Sequence, residues 1–371
     1  MVRILVFGMT ENPGGVESFL VNYYRNIDRS KIQFDFLCNS YEKVAYEDEL
    51  ISLGGRTYHF TSRHDSPVRF RKELTAFFEE HAPEYSAIWV NVCSLANIDY
   101  LKFAKKYGIG RRIIHSHNSQ NMEGVIRGTL HKFNKMVLYK YATDYWACSE
   151  GAVDWFYPSN LKSRAVVIHN AIDVDRMAFN PDSRSRIRNE LVIDDDCFLV
   201  GNVGRLHFQK NQMFALDVFK AYLQIDSNSK FVLVGQGEDE EKLKAKVSSL
   251  GIEERVIFTG VRGDVPDLLS SFDVYLFPSL FEGLSIAALE AEANGVPVLA
   301  SANVISEEVR VNDNFIFYSL DKSAEEWAER LFEIKNSCKR YSYEDVLIGF
   351  KERGFEIKSE AVKLQNRLLG V

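Results

Sequence analysis

Two carboxylates occupy a stretch built for a protein interior. In FPSLFEGLSIAALEAEANGVPVLAS, residues 277–301, both ends read as buried strands and the middle as a small-residue helix. Yet Glu282 stands at the helix mouth, and Glu290, eight residues later, lies inside it. Ala287, Ala288, Ala291 and Ala293 let that helix pack closely, so Glu290 is expected to be partly enclosed. A buried carboxylate either protonates or acquires hydrogen-bond donors, and the two hydroxyls of a ribose are donors at carboxylate spacing. Glu292, about 200° further round the helix, is expected on the solvent side. Glu282 precedes the backbone N–H groups of Gly283, Leu284 and Ser285. Such amides take phosphate charge, and a carboxylate accepts sugar hydroxyls. A nucleotide sugar would engage both glutamates at once. The simpler alternative is that Glu282 caps its helix and Glu290 pairs with a hidden lysine.

Other segments carry chemistry of the same kind. In GNVGRLHFQKNQ, residues 201–212, Arg205 and Lys210 follow a strand that ends in glycine. A guanidinium grips two oxygens and an ammonium supplies a point charge, which suits a diphosphate; solvated loop charges are the alternative. In PGGVESF, residues 13–19, Gly14 and Gly15 open a helix whose N-terminus offers unpaired amides to an anion, or else make a tight turn, with Glu17 complementing the helix dipole. The pattern is not GxGxxG, which disfavours a nicotinamide cofactor and a dehydrogenase. In RRIIHSHNSQ, residues 111–120, His115 and His117 are expected on opposite sheet faces, His117 entering a cleft and His115 packed. That divergence argues against a two-histidine metal site, and no metal is expected. Gly235 and Gly237 turn after another strand, with at most a wall of a nucleotide pocket to form, and acidic residues 238–241 read as a solvated first helical turn.

RGTLHKFNKMVLYK, residues 127–140, has four Lys or Arg and no acid. Arg127, His131 and Lys135 recur every four residues and should share a helical face, with Leu130, Met136, Val137 and Leu138 supplying apolar area. Contact with the inner membrane leaflet is one reading; a half-buried surface helix with solvated lysines is the simpler one.

The elements that must position these residues alternate along the chain. Strands are expected at RILVFG, QFDFLC, AIWVNV, RIIHSH, DYWACS and AVVIHN, then at FLVGNVG, KFVLVG, VIFTG, VYLFPS and VPVLAS; helices between them include 15–26, 67–81, 238–250 and 285–294. Strands apolar throughout and separated by helices indicate parallel sheets covered on both faces. Each half is therefore an α/β, doubly wound, Rossmann-like domain. At roughly 150 residues per domain, 371 residues accord with two. The apolar pattern lapses near 171–190, where a hinge is expected, giving domains of 1–175 and 176–349 with a terminal helix about 350–371. In open α/β sheets ligands bind beyond the carboxyl ends of the strands, and every segment quoted above except the basic helix follows a strand. A net charge of −7 argues against a general nucleic-acid binder. Five scattered cysteines without a CxxC pair read as buried free thiols in a reducing cytoplasm. The opening residues turn polar too soon for a signal peptide, and no apolar run approaches the roughly 18 residues of a membrane span.

FEGLSIAALE resembles the E-x7-E signature of the retaining glycosyltransferases of family 4, which have the GT-B fold: two Rossmann-like domains facing across a cleft, with a C-terminal helix crossing back to the first. PGGVES is similar to that family's N-terminal glycine loop, GRLHFQKN to its Arg/Lys diphosphate loop and HSHN to its cleft histidine segment. His169-Asn170-Ala171 departs from the Pro-Asn-Gly often found before the hinge. The resemblance implies that Arg205 and Lys210 hold the diphosphate of a nucleoside diphosphate sugar, UDP-linked. It implies that Glu290 binds ribose, that Glu282 with the amides of Gly283, Leu284 and Ser285 holds the sugar, that His117 contacts the sugar near the reacting carbon, and that Gly14 and Gly15 line the phosphates. Val261, in FTGVRGDVP, would present backbone to the base. It also implies no cofactor, protein cations in place of a divalent metal, same-face attack assisted by the leaving phosphate, and a glycan or lipid-linked saccharide acceptor. The wider expectation is a metal-independent hexosyltransferase of capsule or exopolysaccharide biosynthesis, in the cytoplasm or on the cytoplasmic face of the membrane. A nucleotide-sugar epimerase and a non-catalytic nucleotide-sugar-binding partner of another glycosyltransferase are the rival readings.

Overall fold

The computed structural model describes residues 1–118, 124–282 and 284–370, without the side chains of Val125 and Ile126. By contacts the chain divides into two units, Met1–Ala171 with Ile357–Val371, and Ile172–Glu356. The first holds strands β1 (Val2–Phe7), β2 (Ile32–Cys38), β3 (Thr57–His59), β4 (Ala87–Val92), β5 (Arg111–Ser116), β6 (Asp144–Ala147) and β7 (Ala165–Val167), in the order β3-β2-β1-β4-β5-β6-β7. The second holds β8 (Phe198–Val203), β9 (Ser229–Val234), β10 (Val256–Gly260), β11 (Val274–Phe277), β12 (Val298–Ser301) and β13 (Phe315–Tyr318), in the order β10-β9-β8-β11-β12-β13. Every neighbouring pair is parallel. The order reverses once in each sheet, between β1 and β4 and between β8 and β11, so each sheet has one switch point. This is the doubly wound architecture read from the apolar runs.

The central strands are apolar on both faces because helices cover both. Leu5, Val6, Ile88, Trp89, Val90, Ile113 and Ile114 are fully buried in the first sheet, as are Leu199, Val200, Val232, Leu233, Tyr275 and Leu276 in the second. Two strands escaped the sequence reading. Thr57–His59 is short and half-buried, and Phe315–Tyr318 is a four-residue apolar run set in polar sequence at an edge. Buried charge is matched locally. Asp35 accepts hydrogen bonds from Arg3, Arg56 and Tyr85, and Asp273 accepts from Arg184, Arg188 and the amide of Leu199.

The segment expected as a hinge, 171–190, carries helices Val174–Met177 and Pro181–Glu190, both in the second unit. Arg188 is buried there, its guanidinium spent on the carbonyls of Asp194, Cys197 and Ser271 as well as on Asp273. Helix Tyr343–Arg353 stops at Gly354, whose φ of 74° needs glycine. Helix Ile357–Leu369 then lies against helix Gly15–Asn26 in the first unit. Gln365 accepts the Asp28 amide at 2.7 Å, and Arg111 donates to the carbonyls of Arg367 and Leu368 at 2.8 and 2.9 Å. The thiols of Cys38, Cys148 and Cys197 are buried, but Cys93 is exposed and Cys338 half-buried, against the expectation of uniform burial; Cys93 follows the tip of β4, beyond the covering helices.

Gly201 in β8 is a packing requirement. A Cβ there would fall 2.1 Å from the Phe272 ring, so Gly201→Ala should cost about 1–3 kcal/mol in urea denaturation. Gly263→Ala, with open space around it, should leave the midpoint unchanged. Equal midpoints for the two variants would refute this packing account.

Candidate functional site

In the second unit, β8 and β11 are hydrogen-bonded neighbours at the reversal, with Val274 against Val200 and Tyr275 against Gly201. Their following loops therefore leave the sheet side by side. Three hydrogen bonds lace them together: Leu280 N–H to the Gln209 carbonyl at 2.8 Å, Gln209 Nε2 to the Phe281 carbonyl at 3.0 Å, and Asn211 Nδ2 to the Pro278 carbonyl at 3.0 Å. The rings of Phe208 and Phe281 meet at 5.8 Å. Asn211 has φ 55°, a left-handed conformation that asparagine tolerates, and turns the loop into helix Gln212–Tyr222.

That lacing brings Lys210 onto Glu282, Nζ to Oε1 2.6 Å, with the side chains only 16% and 7% exposed. The ammonium also sits 5.2 Å from the Phe277 ring centroid. The sequence reading gave the pair separate tasks; the structure makes them one unit. Arg205 is 68% exposed and reaches Glu238 through Nε and Nη2 at 3.0 and 3.2 Å, and His207 Nε2 approaches the same carboxylate at 3.4 Å. Glu238 is thus a tether for the basic loop rather than only a solvated helix start. Gly235 and Gly237 serve close backbone approach: a Cβ would fall 2.1 Å from the Gly204 carbonyl oxygen and 2.2 Å from that of Leu206.

Helix Ile286–Ala293 is capped by Ser285, whose hydroxyl accepts the Ala288 amide at 3.4 Å, so Glu282 is not its cap. Leu284 and Ser285 are buried at the helix mouth, and Gly283 lies outside the described residues. Glu290 is half-buried, and among the described residues no side-chain donor reaches its carboxylate. Burial pushes its pKa up to about 7 against the opposing field of Arg176. The hidden-lysine alternative thus fails for Glu290, while Glu282 is the one that has a lysine. Tyr275 is buried, donates to the Val203 carbonyl at 2.8 Å, and its hydroxyl is held far above its usual pKa by burial and by the fields of Glu290 and Glu282.

The expectation for Glu292 is overturned. It is fully buried and accepts the amides of Val311 and Asn312 at 2.9 Å, with burial raising its pKa to about 8. The side of the helix opposite Glu290 faces protein, namely the segment before β13, so no face of this helix is a solvent face. Val261 stands 55% exposed just past β10.

In the first unit, Gly14 is the cap residue of helix Gly15–Asn26. A Cβ on Gly14 would fall 2.8 Å from a Glu17 carboxylate oxygen, while Gly15 faces open space. Glu17 is buried and accepts Thr10 N–H at 3.1 Å and Thr10 Oγ1 at 2.5 Å, so it fixes the loop rather than merely answering the helix dipole. His115 and His117 do not diverge. They are two residues apart on an extended chain, which puts them on the same face, and their rings lie 4.2 Å apart, both against Phe19. Asn91 spends its amide nitrogen on the Phe7 carbonyl, leaving Oδ1 to accept from His117 Nε2 at 2.9 Å. His117 is therefore the Nε2–H tautomer. Burial holds its pKa down at about 3, so the ring is neutral and Nδ1 is an acceptor. Among the described residues no cluster of three or more His, Cys, Asp or Glu could hold a metal ion.

Gln209, Asn211, Glu238, Tyr275 and Asn91 were not found from sequence. Asn211 left a trace, as an asparagine directly before a helix, and Glu238 one within the acidic run 238–241.

Two parallel, doubly wound sheets, the second with a basic loop laced to an acidic one at its switch point, define a two-domain α/β protein of the doubly wound class. The fold is GT-B: the crystal structure of Anabaena Alr3699/HepE in complex with UDP and glucose matches with a TM-score of 0.78, covering 100% of both chains at 19% identity. The model for "Glycosyl transferases group 1" matches residues 183–344. The Bacillus subtilis (strain 168) protein "Putative glycosyltransferase EpsF" is 30% identical over 327 residues, 86% of this chain and 84% of the relative. An Escherichia coli UDP-Gal:alpha-D-GlcNAc-diphosphoundecaprenol alpha-1,3-galactosyltransferase is 31% identical over 152 residues, 40% of this chain and 39% of the relative. The chain belongs to the group 1 glycosyltransferases.

Removing Lys210 strands a largely buried carboxylate. Lys210→Met should cost about 3 kcal/mol and the double variant Lys210→Met/Glu282→Gln distinctly less; additive losses in urea denaturation would show that the pair is not coupled. Glu290 has a folded-state pKa raised from 4.5 to about 7. Measured against Glu290→Gln, the native chain should hold its full relative stability below pH 4.5 and lose about 1–3 kcal/mol as pH rises through 7. A flat difference between the two proteins across that window would contradict the raised pKa.

Proposed function

We propose that this glycosyltransferase moves a sugar from a nucleoside diphosphate sugar, UDP-linked, to a hydroxyl of a glycan or lipid-linked saccharide in cell-surface polysaccharide biosynthesis, with retention at the anomeric carbon as in family 4. The observation that carries the donor assignment is the pair of loops laced at the β8/β11 switch point. They offer Arg205 and Lys210 for a diphosphate and leave Glu290 half-buried without a side-chain donor of its own. A ribose diol supplies the two donors that carboxylate lacks. Glu282, oriented by Lys210, accepts sugar hydroxyls, and Ser285 and Leu284 bring the helix mouth to the phosphate. Charge developing on the departing diphosphate is met by the two cations, which would make a divalent ion dispensable. The acceptor oxygen bonds to the anomeric carbon as the bond from that carbon to the phosphate oxygen breaks, and the acceptor proton passes to the leaving phosphate. Neutral His117 suits a hydroxyl partner rather than a phosphate counter-ion. The E. coli relative's name, with its UDP-Gal donor and diphosphoundecaprenol-linked acceptor, supports the donor and acceptor classes.

Thermal shift with a nucleotide panel tests the donor. UDP at about 100 times its dissociation constant should stabilise the native chain by about 2.7 kcal/mol. Arg205→Ala should weaken UDP about tenfold or more. Glu282→Gln should bind UDP nearly as before and lose transfer by about a hundredfold or more. Wild-type transfer rates in both variants would remove the site assignment. Conversion of the donor without any acceptor would instead favour the epimerase reading.

A further inference from the structure

Arg205 spends one edge of its guanidinium and keeps the other. Nε and Nη2 donate to Glu238 Oε2 and Oε1 at 3.0 and 3.2 Å. A guanidinium presents donors on two edges of a rigid plane, and this side-on pairing leaves the end-on edge, Nη1 with the second Nη2 hydrogen. Among the described residues nothing else accepts from Arg205. Two phosphate oxygens fit such an edge.

Glu238 is itself held in place. It follows β9, the hydrogen-bonded neighbour of β8. The loop after β9 docks on the basic loop through backbone: Leu206 N–H donates to the Gln236 carbonyl at 3.0 Å, and Asp239 N–H to the Leu206 carbonyl at 3.1 Å. The missing side chain of Gly237 permits that approach. His207 supports the carboxylate as well. Its Nδ1 accepts the Gln209 amide at 3.4 Å, which leaves Nε2 to carry the proton that faces Glu238 at 3.4 Å. Gln209 is the residue laced to the Phe281 carbonyl. A chain of contacts thus runs from the acidic loop through Gln209, His207 and Glu238 to Arg205. The side chains of Arg205 and Glu238 are well exposed, and ion pairs so placed add little to folding, so stability does not account for the arrangement.

Given Arg205 as the diphosphate ligand proposed above, we infer that Glu238 is a positioning residue, which fixes the Arg205 side chain before the donor arrives and leaves its end-on edge for a phosphate. A long, solvated arginine loses rotamer freedom when it binds, and ordering it beforehand removes that cost. Glu238 also sets a negative charge near an anionic ligand. The two effects have opposite signs: without Glu238, lost order weakens binding and lost repulsion tightens it. Water and salt screen the repulsion at so exposed a pair, so the ordering effect is the larger.

Calorimetric titration of the full chain with UDP is the test. Glu238→Ala should weaken UDP about three- to tenfold. Glu238→Gln keeps an amide oxygen that accepts from Arg205 and should restore most of that affinity. In the Arg205→Ala background, Glu238→Ala should change UDP affinity by less than about twofold. The unliganded Glu238 variants should melt with the native chain; midpoints lowered in step with affinity would make Glu238 a folding residue and overturn the positioning role. UDP bound more tightly by both Glu238 variants, or losses that add in the double variant, would overturn it too. Native-like UDP binding by Glu238→Ala beside weakened binding by Arg205→Ala would do the same while leaving the donor site standing. Equal UDP affinity in the native chain and Arg205→Ala would remove the donor reading and this role together.

Discussion

The hydrogen-bonded adjacency of β8 and β11 is the constraint on which the candidate site depends. Neither the basic loop nor the acidic one is a site alone. Arg205 without its neighbour is an exposed loop cation tied to Glu238, and Glu282 is a carboxylate before a helix. Parallel pairing of two strands far apart in sequence makes their exits neighbours, and Gln209, Asn211 and Leu280 then hold those exits together. Only in that setting does Lys210 reach Glu282.

The same loops show how the site's charge is kept in a protein interior. A buried ion pair gains little net stability, but losing one member is costly, so the Lys210–Glu282 contact is better understood as holding both groups in place. Glu290 lacks that protection and its pKa rises to about 7, whereas Glu292, equally deep in sequence terms, is consumed by the backbone amides of Val311 and Asn312. Two glutamates in one short helix thus divide into one available for a ligand and one that fixes the segment ahead of β13.

The first unit repeats the arrangement with different chemistry. The loop after β1 is pinned by Glu17, and just past β5 a neutral His117 is oriented by Asn91 of β4. A neutral imidazole in the first unit and cations in the second give the two units chemically distinct groups.

Much of this was legible in the sequence. Apolar runs recurring between helical stretches specify parallel, doubly covered sheets, because only such strands need both faces apolar. Arg205, Lys210, Glu282 and Glu290 stood out because charge after a strand, or inside an alanine-rich helix, has no packing purpose. What the sequence could not decide was which groups meet. The partnership of Lys210 with Glu282, the burial of Glu292, and the shared face of His115 and His117 against Phe19 all depend on contacts between residues distant along the chain or on which side of an element the rest of the protein covers. Periodicity places a side chain on a face; only the tertiary packing says whether that face meets protein or water.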